Sequence, residues 1–192
     1  MMSTSFLSFE QIAEIGFANV GENVLLSARA SFYGAKNISI GSNVRIDDFC
    51  LLSGKVIIRN YVHISAYTSL FAGDAGIVFE DYTGISSHCS VYAVSDDYTG
   101  RSMTNPTIPD KYKPYLISKQ TLIGKYSNIG TSCVLLPGTK LNEGVAVAPM
   151  SLCNSELKEW SIYSGIPAKR LVTRSKSLLD LEKAFLQELA EK

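Results

Sequence analysis

Histidine is nearly missing from this chain: His63 and His88 are the two in 192 residues. General-base chemistry near neutral pH therefore has few imidazoles to draw on. Net charge is missing as well. Eighteen Lys+Arg balance eighteen Asp+Glu, so the broad basic field that non-specific nucleic-acid binding uses is not expected. No apolar run approaches the roughly 20 residues needed to cross a bilayer, and no membrane insertion is expected. The opening Met1-Met2-Ser3-Thr4-Ser5-Phe6 sets no basic stretch ahead of an apolar one. A secretory signal is thus not expected, and a cytoplasmic location is. The four cysteines show no Cys-x-x-Cys spacing, which leaves no metal site to read from them. What remains, at 46% hydrophobic, is enough chain for one domain with a real core.

What is present is a repeat of six. From Val20 to Asp96, and again from Ile117 to Leu152, a large apolar residue recurs every sixth position, with a small residue or a valine four places later. Ile40-Gly41-Ser42-Asn43-Val44-Arg45 runs straight into Ile46-Asp47-Asp48-Phe49-Cys50-Leu51, and the cleanest stretch carries Ile123, Ile129, Leu135, Leu141 and Val147. A period of six fits neither a helix nor a plain alternating strand. It fits a coil with three flat sides, each side a short strand of one hexad with its bulky residue inward. Stacked coils pair as parallel strands about 4.8 Å apart, so each apolar residue lies above its equivalent. Ile40, Ile58 and Phe79 are expected to form one such ladder. Cys50, Cys89 and Cys133 fall at fifth places and Cys153 at a first place, where buried cysteine serves as a small hydrophobe. A solenoid of this kind is stable only when several coils stack.

The repeat breaks in two places. Gly73-Asp74-Ala75-Gly76 adds residues at one corner, with glycines free to take unusual backbone angles. A longer break at about 95–116 carries Pro106, Pro109 and Pro114 among Tyr, Asp, Arg and Lys; an insertion of that length in a compact domain is usually functional or disordered, and its composition favours function. Beyond Arg174, Leu178, Leu181, Phe185 and Leu189 recur at helical spacing, predicting an amphipathic helix over 174–192 that caps the column or packs on a neighbour. Residues 5–16 predict another short helix. The organisation expected is thus a β-solenoid domain over 1–173 followed by a C-terminal helix.

These hexads resemble the hexapeptide-repeat acyltransferases, enzymes that use acyl-coenzyme A, over roughly residues 20–173. The ending Ser164-Gly165-Ile166-Pro167-Ala168-Lys169 is similar to the closing Gly-Xaa-Pro-Ala segment of that family. The resemblance implies an all-β fold, a left-handed parallel β-helix, working as a homotrimer, with acyl-CoA in the groove between neighbouring coils and the acceptor under the long loop. The stretch Ile85-Ser86-Ser87-His88-Cys89-Ser90-Val91-Tyr92-Ala93-Val94-Ser95-Asp96-Asp97-Tyr98 looks like the branch that N-acylates nucleotide-linked amino sugars, such as the dTDP-4-amino-4,6-dideoxyglucose N-acyltransferases. In that branch a serine on the β-helix and acidic residues leading into the loop line the acceptor site, which by position are Ser86, Asp96 and Asp97. The hydroxyl-acylating members, such as the galactoside and maltose O-acetyltransferases, carry a catalytic histidine near the start of this loop, where this chain reads Ser95-Asp96-Asp97.

The chemistry agrees with that departure. A sugar hydroxyl is a very weak acid and needs a positioned base, typically histidine. An amine with a pKa near ~8, by analogy with an α-amino group, is partly neutral already at pH 7. It can attack a thioester without a strong base, its proton leaving through a carboxylate, a water or the departing thiolate. Asp96 and Asp97 would hold the amino sugar, and one with a raised pKa would accept the proton. Ser86 is the candidate partner for the oxyanion or the amine. His63, at a corner one coil below the Gly84-to-Ser86 stretch, is a candidate base or substrate contact. His88 and Tyr98 are candidate substrate contacts, and Arg101, Lys111 and Lys113 candidates for a substrate phosphate. Gly130 and Ala148, small residues at second positions, would let the pantetheine arm approach, and Lys169 and Arg170 would meet the phosphates of CoA.

The expected activity is therefore acyl-CoA-dependent N-acylation, most readily N-acetylation, of a nucleotide-linked amino-deoxy sugar destined for a surface polysaccharide, with acyl-CoA as co-substrate and no metal. One alternative is a sugar O-acetyltransferase with His63 or His88 as base. Another, from a different class, is a non-catalytic binding or assembly module.

Overall fold

The structure is a computed structural model and describes residues 5–191. Met1–Thr4, part of the segment read for a signal, and Lys192, at the end of the expected helix, lie outside the described residues. Hexads fold as expected: short parallel strands stack into three walls. The first wall carries Leu25–Leu26, Arg45–Ile46, His63–Ile64, Gly84–Ile85, Asn128–Ile129, Ala146–Val147 and Ser161–Ser164, all parallel, and ends on an antiparallel strand, Lys169–Thr173. The second and third walls form one eleven-stranded sheet, because two long strands, Leu51–Ile58 and Ser69–Phe79, turn the corner between them.

The register of the third wall is a single vertical ladder. Val20 pairs with Ile40, Ile40 with Ile58, Ile58 with Phe79, Phe79 with Ile123, Ile123 with Leu141, and Leu141 with Leu157. The predicted rungs Ile40, Ile58 and Phe79 are thus adjacent. From Ile40 upward these side chains are at most 2% exposed, and each fully buried aliphatic or phenyl group contributes roughly 1.5–3 kcal/mol. The four cysteines are free thiols inside this column, at most 1% exposed. Burial pushes the Cys50 thiol up to about 11 and that of Cys153 to about 12.

Each coil turns its corners through residues of positive φ, and the sequence fills many of these with flat rings. One corner holds Tyr61, Tyr82, Tyr126 and Trp160, with φ of 57°, 57°, 62° and 48°. A left-handed conformation costs an L-residue roughly 1–2 kcal/mol. Stacking offsets it: Tyr61 lies 4.9 Å from Tyr82 and Tyr82 5.7 Å from Tyr126, centroid to centroid, and such pairs gain about 0.5–1.5 kcal/mol beyond burial. A second corner stacks Phe49, Tyr67 and His88 at 4.9 Å intervals.

Extra residues leave at the third corner. Gly54 pairs with Gly73 but Val56 pairs with Ile77, so the Gly73–Gly76 insertion is absorbed as a bulge inside a continuous strand. At the same corner of the next coil, Val94–Ser95 pairs antiparallel with Ile117–Ser118 as the neck of the long loop.

The helices depart from expectation in one respect. The N-terminal helix, α1 (Phe9–Ile15), opens on a capping box between Ser8 and Gln11 and buries Ile12 against the first coil. The C-terminal helix, α2 (Leu178–Ala190), does not cap the column. It lies along the column's own flank, because the tyrosine corner offers an apolar side surface while Lys169–Thr173 already closes the first wall. Phe185 meets the Tyr61 ring edge-on at 5.5 Å. Glu182 accepts hydrogen bonds from Lys125 Nζ, at 3.0 Å, and from the Tyr126 hydroxyl.

Ile64→Ala, at 0% exposure in the middle of the first wall, is expected to lower the unfolding free energy by about 2–5 kcal/mol. Chemical denaturation checks this, and an unchanged midpoint would contradict the buried ladder.

Candidate active site

The loop at the third corner separates the two aspartates that the sequence treats alike. Asp97 is 6% exposed and its carboxylate is filled. Oδ1 accepts from the Thr99 N–H at 3.0 Å and the Thr99 hydroxyl at 2.6 Å, and Oδ2 accepts from the N–H groups of Arg101 at 2.9 Å and Ser102 at 3.1 Å. The Thr99 hydroxyl and these backbone donors hold its carboxyl below the usual carboxylate range, the opposite of the raised value a proton acceptor needs. Asp97, expected beside Asp96 as a catalytic carboxylate, here ties the loop. Asp96 accepts one loop hydrogen bond, Asn105 N–H to Oδ2 at 3.1 Å. It lines a cavity of about 510 Å³ together with Tyr92, Ser95, Tyr98, Asn105 and Lys113 among others.

The cationic residues of the loop are engaged with groups of the loop itself, and Arg101 and Lys111 remain exposed. Lys113 is partly buried, 12% exposed in its side chain, donating to the Asn105 carbonyl at 3.2 Å and pairing with Asp110 at 3.1 Å. Arg101 donates from Nε to Thr99 at 2.9 Å and stacks 4.4 Å above the Tyr115 ring. Lys111 sits over Tyr112 at 4.8 Å. Of the three, only Lys113 lines the loop cavity. Tyr98 also lines it, yet is 91% exposed. Tyr92 and Phe71, stacked at 5.0 Å beneath the loop, also line this cavity; hexad counting gave no reason to single them out.

A second line of residues runs up the outside of the first wall. Ile85 points inward, so its neighbours Gly84 and Ser86 point outward. Ser86, Gly130, Ala148 and Ser164 lie one above another: the Ser86 N–H donates to Ile129, the Gly130 N–H to Val147 and the Ala148 N–H to Tyr163. With its N–H donated to the next coil and its carbonyl accepting from Thr68, Ser86 offers its hydroxyl as the group facing outward. At Gly130 packing alone explains the glycine, because a Cβ there would lie 2.5 Å from the Pro149 nitrogen. Lys169, paired with Ser164 at the top of this line, is exposed. Arg170 folds back, donating to the hydroxyls of Ser161 at 2.9 Å and Thr173 at 2.8 Å.

His63 sits beside Gly84 on this wall, as its register requires. Its Nε2 lies 2.8 Å from Asp47 Oδ2, while Arg45 Nε donates to the other oxygen at 2.6 Å. Partial burial works against ionisation of Asp47, but the hydrogen bonds from Arg45 and His63 outweigh it and hold its carboxyl below the usual range. A neutral imidazole donating from Nε2 to this carboxylate has Nδ1 as an acceptor. The sequence reading missed Asp47, whose link to His63 spans one coil and leaves no local signature. His88, by contrast, is the top ring of the Phe49–Tyr67–His88 stack, and it remains exposed.

Within one chain these groups are not gathered. Ser86 and Asp96 lie on opposite sides of the second wall, and a six-residue wall spans ~20 Å.

No protein-family model matches the chain. Over 184 residues it is 42% identical to the dTDP-4-amino-4,6-dideoxy-D-glucose acyltransferase of Escherichia coli, covering 94% of this chain and 95% of that one. It is also similar to crystal structures of AntD, an N-acyltransferase from Bacillus cereus. A complex of an aspartate-to-alanine mutant of that protein with dTDP and coenzyme A superposes with a TM-score of 0.94 at 44% identity, covering 97% of this chain and 100% of the other. A complex with dTDP and 3-hydroxybutyryl-CoA gives 0.95 at the same identity, covering 98% and 100%.

Asp97→Ala is expected to loosen the loop while leaving the column's unfolding transition in place, read as faster tryptic cleavage at Arg101 and Lys111. A lowered folded pKa also fixes the direction with pH. Amide-exchange protection at Thr99, Arg101 and Ser102 should be full above the unfolded carboxyl value of about 3.9 and fade as pH falls through the lower folded value.

Proposed function

Because the chain belongs to the hexapeptide-repeat family that includes the dTDP-4-amino-4,6-dideoxyglucose acyltransferases, we propose that it transfers an acyl group from acyl-CoA to the amine of a nucleotide-linked amino-deoxy sugar. The observation that carries this reading is the loop cavity. Its lining offers a carboxylate with acceptor positions to spare, Asp96, an aromatic platform at Tyr92 and one cation, Lys113, and no imidazole. Such a lining suits an amine to be oriented and a base to be stacked better than a hydroxyl to be deprotonated. The relatives' complexes with dTDP and coenzyme A support the same substrate pair.

In this mechanism the neutral amine attacks the thioester carbonyl and forms the C–N bond as the C–S bond breaks. Asp96 accepts a hydrogen bond from the amine and takes its proton, which passes to the departing CoA thiolate. The Ser86 hydroxyl stabilises the developing oxyanion, since the backbone N–H groups of that wall are engaged between coils. Pantetheine runs along the Ser86–Gly130–Ala148 line toward Lys169, the exposed cation at its end. Nucleotide-linked sugars are activated for glycosyl transfer, so the product feeds the building of a surface polysaccharide from the cytoplasmic side. No helix among the described residues is long and apolar enough to cross a membrane.

The distance between Ser86 and Asp96 within one chain supports a homotrimer. Reacting groups must converge to about 3 Å, so the loop of one subunit must cover the Ser86 line of the next, and a threefold ring satisfies every such contact. Exposed loop residues Tyr98, at 91%, and Tyr115, at 50%, suit that contact.

The purified protein is expected to acylate dTDP-4-amino-4,6-dideoxyglucose with release of free CoA, detected as thiol and as product mass. Asp96→Ala should lower kcat by about 10²-fold or more, as loss of a positioned acid–base group does, while His63→Gln slows turnover by less. Turnover of hydroxyl sugars in place of amines, abolished in His63→Gln, would replace this reading with O-acetylation by the Asp47-oriented His63.

A further inference from the structure

Between α2 and the first wall lies a cavity of about 500 Å³ whose lining includes Tyr61, Tyr82, Gly84, Asn128, Leu181 and Phe185. Two charged groups also border it, and both are engaged: Glu182 with Lys125 and Tyr126, Arg174 with the carbonyls of Tyr126 and Gly144. Rings and aliphatic groups therefore dominate its character.

Gly84 is the informative residue. Glycine at several neighbouring corners is forced by packing: a Cβ would lie 2.7 Å from backbone at Gly41 and 2.6 Å at Gly124. At Gly84 nothing forces it. A Cβ there would meet only the Asn128 side chain, at 3.4 Å, and the backbone is not left-handed. His63 stands directly below and Asn128 directly above in the same ladder, so the missing side chain opens a gap in an otherwise filled row. That gap lies two residues from Ser86 on the same outward face, ~6–7 Å along the strand.

Resting on the acyl-transfer reading above, we propose that this cavity receives the acyl chain of the donor, with Gly84 as its floor and Phe185 as its opposite wall. Ser86 then faces the thioester carbonyl while the carbons beyond it turn under α2. Acetyl fills none of this space. The preferred donor is accordingly a coenzyme A thioester of a short chain longer than acetyl, and α2 is part of the substrate site.

Binding by calorimetry tests the cavity without turnover. Butyryl-CoA is expected to bind about tenfold more tightly than acetyl-CoA, the effect of burying two further methylenes. Gly84→Leu should erase that ratio. Phe185→Ala, which removes the opposite wall together with its edge-on contact to Tyr61, should move the optimum toward hexanoyl-CoA and guards against a Gly84 variant that fails to fold. Equal affinities for acetyl- and butyryl-CoA in the native protein, or a butyryl preference that persists unchanged in both variants, overturns the proposal. A preference that responds to both variants in a protein that acylates no amine leaves the cavity standing and removes the amino-sugar reading instead.

Discussion

The vertical register of the inner column is the constraint on which the rest of the molecule depends. Each inward side chain must lie above its equivalent, as Ile40, Ile58, Phe79 and Ile123 do. Backbone hydrogen bonds between coils leave no room for a residue too many within a wall, because a slip of one position would turn the apolar set outward. Added length must therefore leave at a corner. Both insertions do so at the same one, Gly73–Gly76 as a bulge and 96–116 as a loop on an antiparallel neck. The corners also carry the backbone cost of turning, and stacked rings of Tyr61, Tyr82 and Tyr126 meet it. That stack in turn supplies the apolar flank on which α2 settles.

The same constraint decides what kind of chemistry the surface can do. Along the first wall the N–H groups of Ser86, Gly130 and Ala148 are donated to the next coil, so a reacting carbonyl finds side-chain donors there. In the proposed mechanism, acid–base groups come from residues free of the ladder. The loop supplies Asp96, held by a single N–H, while Asp97 beside it is consumed by four donors in building the loop. Two neighbouring carboxylates thereby differ in how far the loop fills them.

Much of this was legible in the sequence. Six-residue periodicity determined the three walls, the inward ladder, the buried cysteines and the point where the loop leaves, because each depends on spacing along the chain and on which residues tolerate burial. Two candidate residues, Ser86 and Asp96, followed from a resemblance in a short motif. What only the tertiary structure decided are the relations between coils and across elements: the Asp47–His63 contact, the filling of the Asp97 carboxylate by Thr99, Arg101 and Ser102, the reason Gly130 is glycine, and the laying of α2 over Gly84. These depend on which atoms meet when distant hexads are stacked and a helix folds back, and a period counted along one chain carries no information about that.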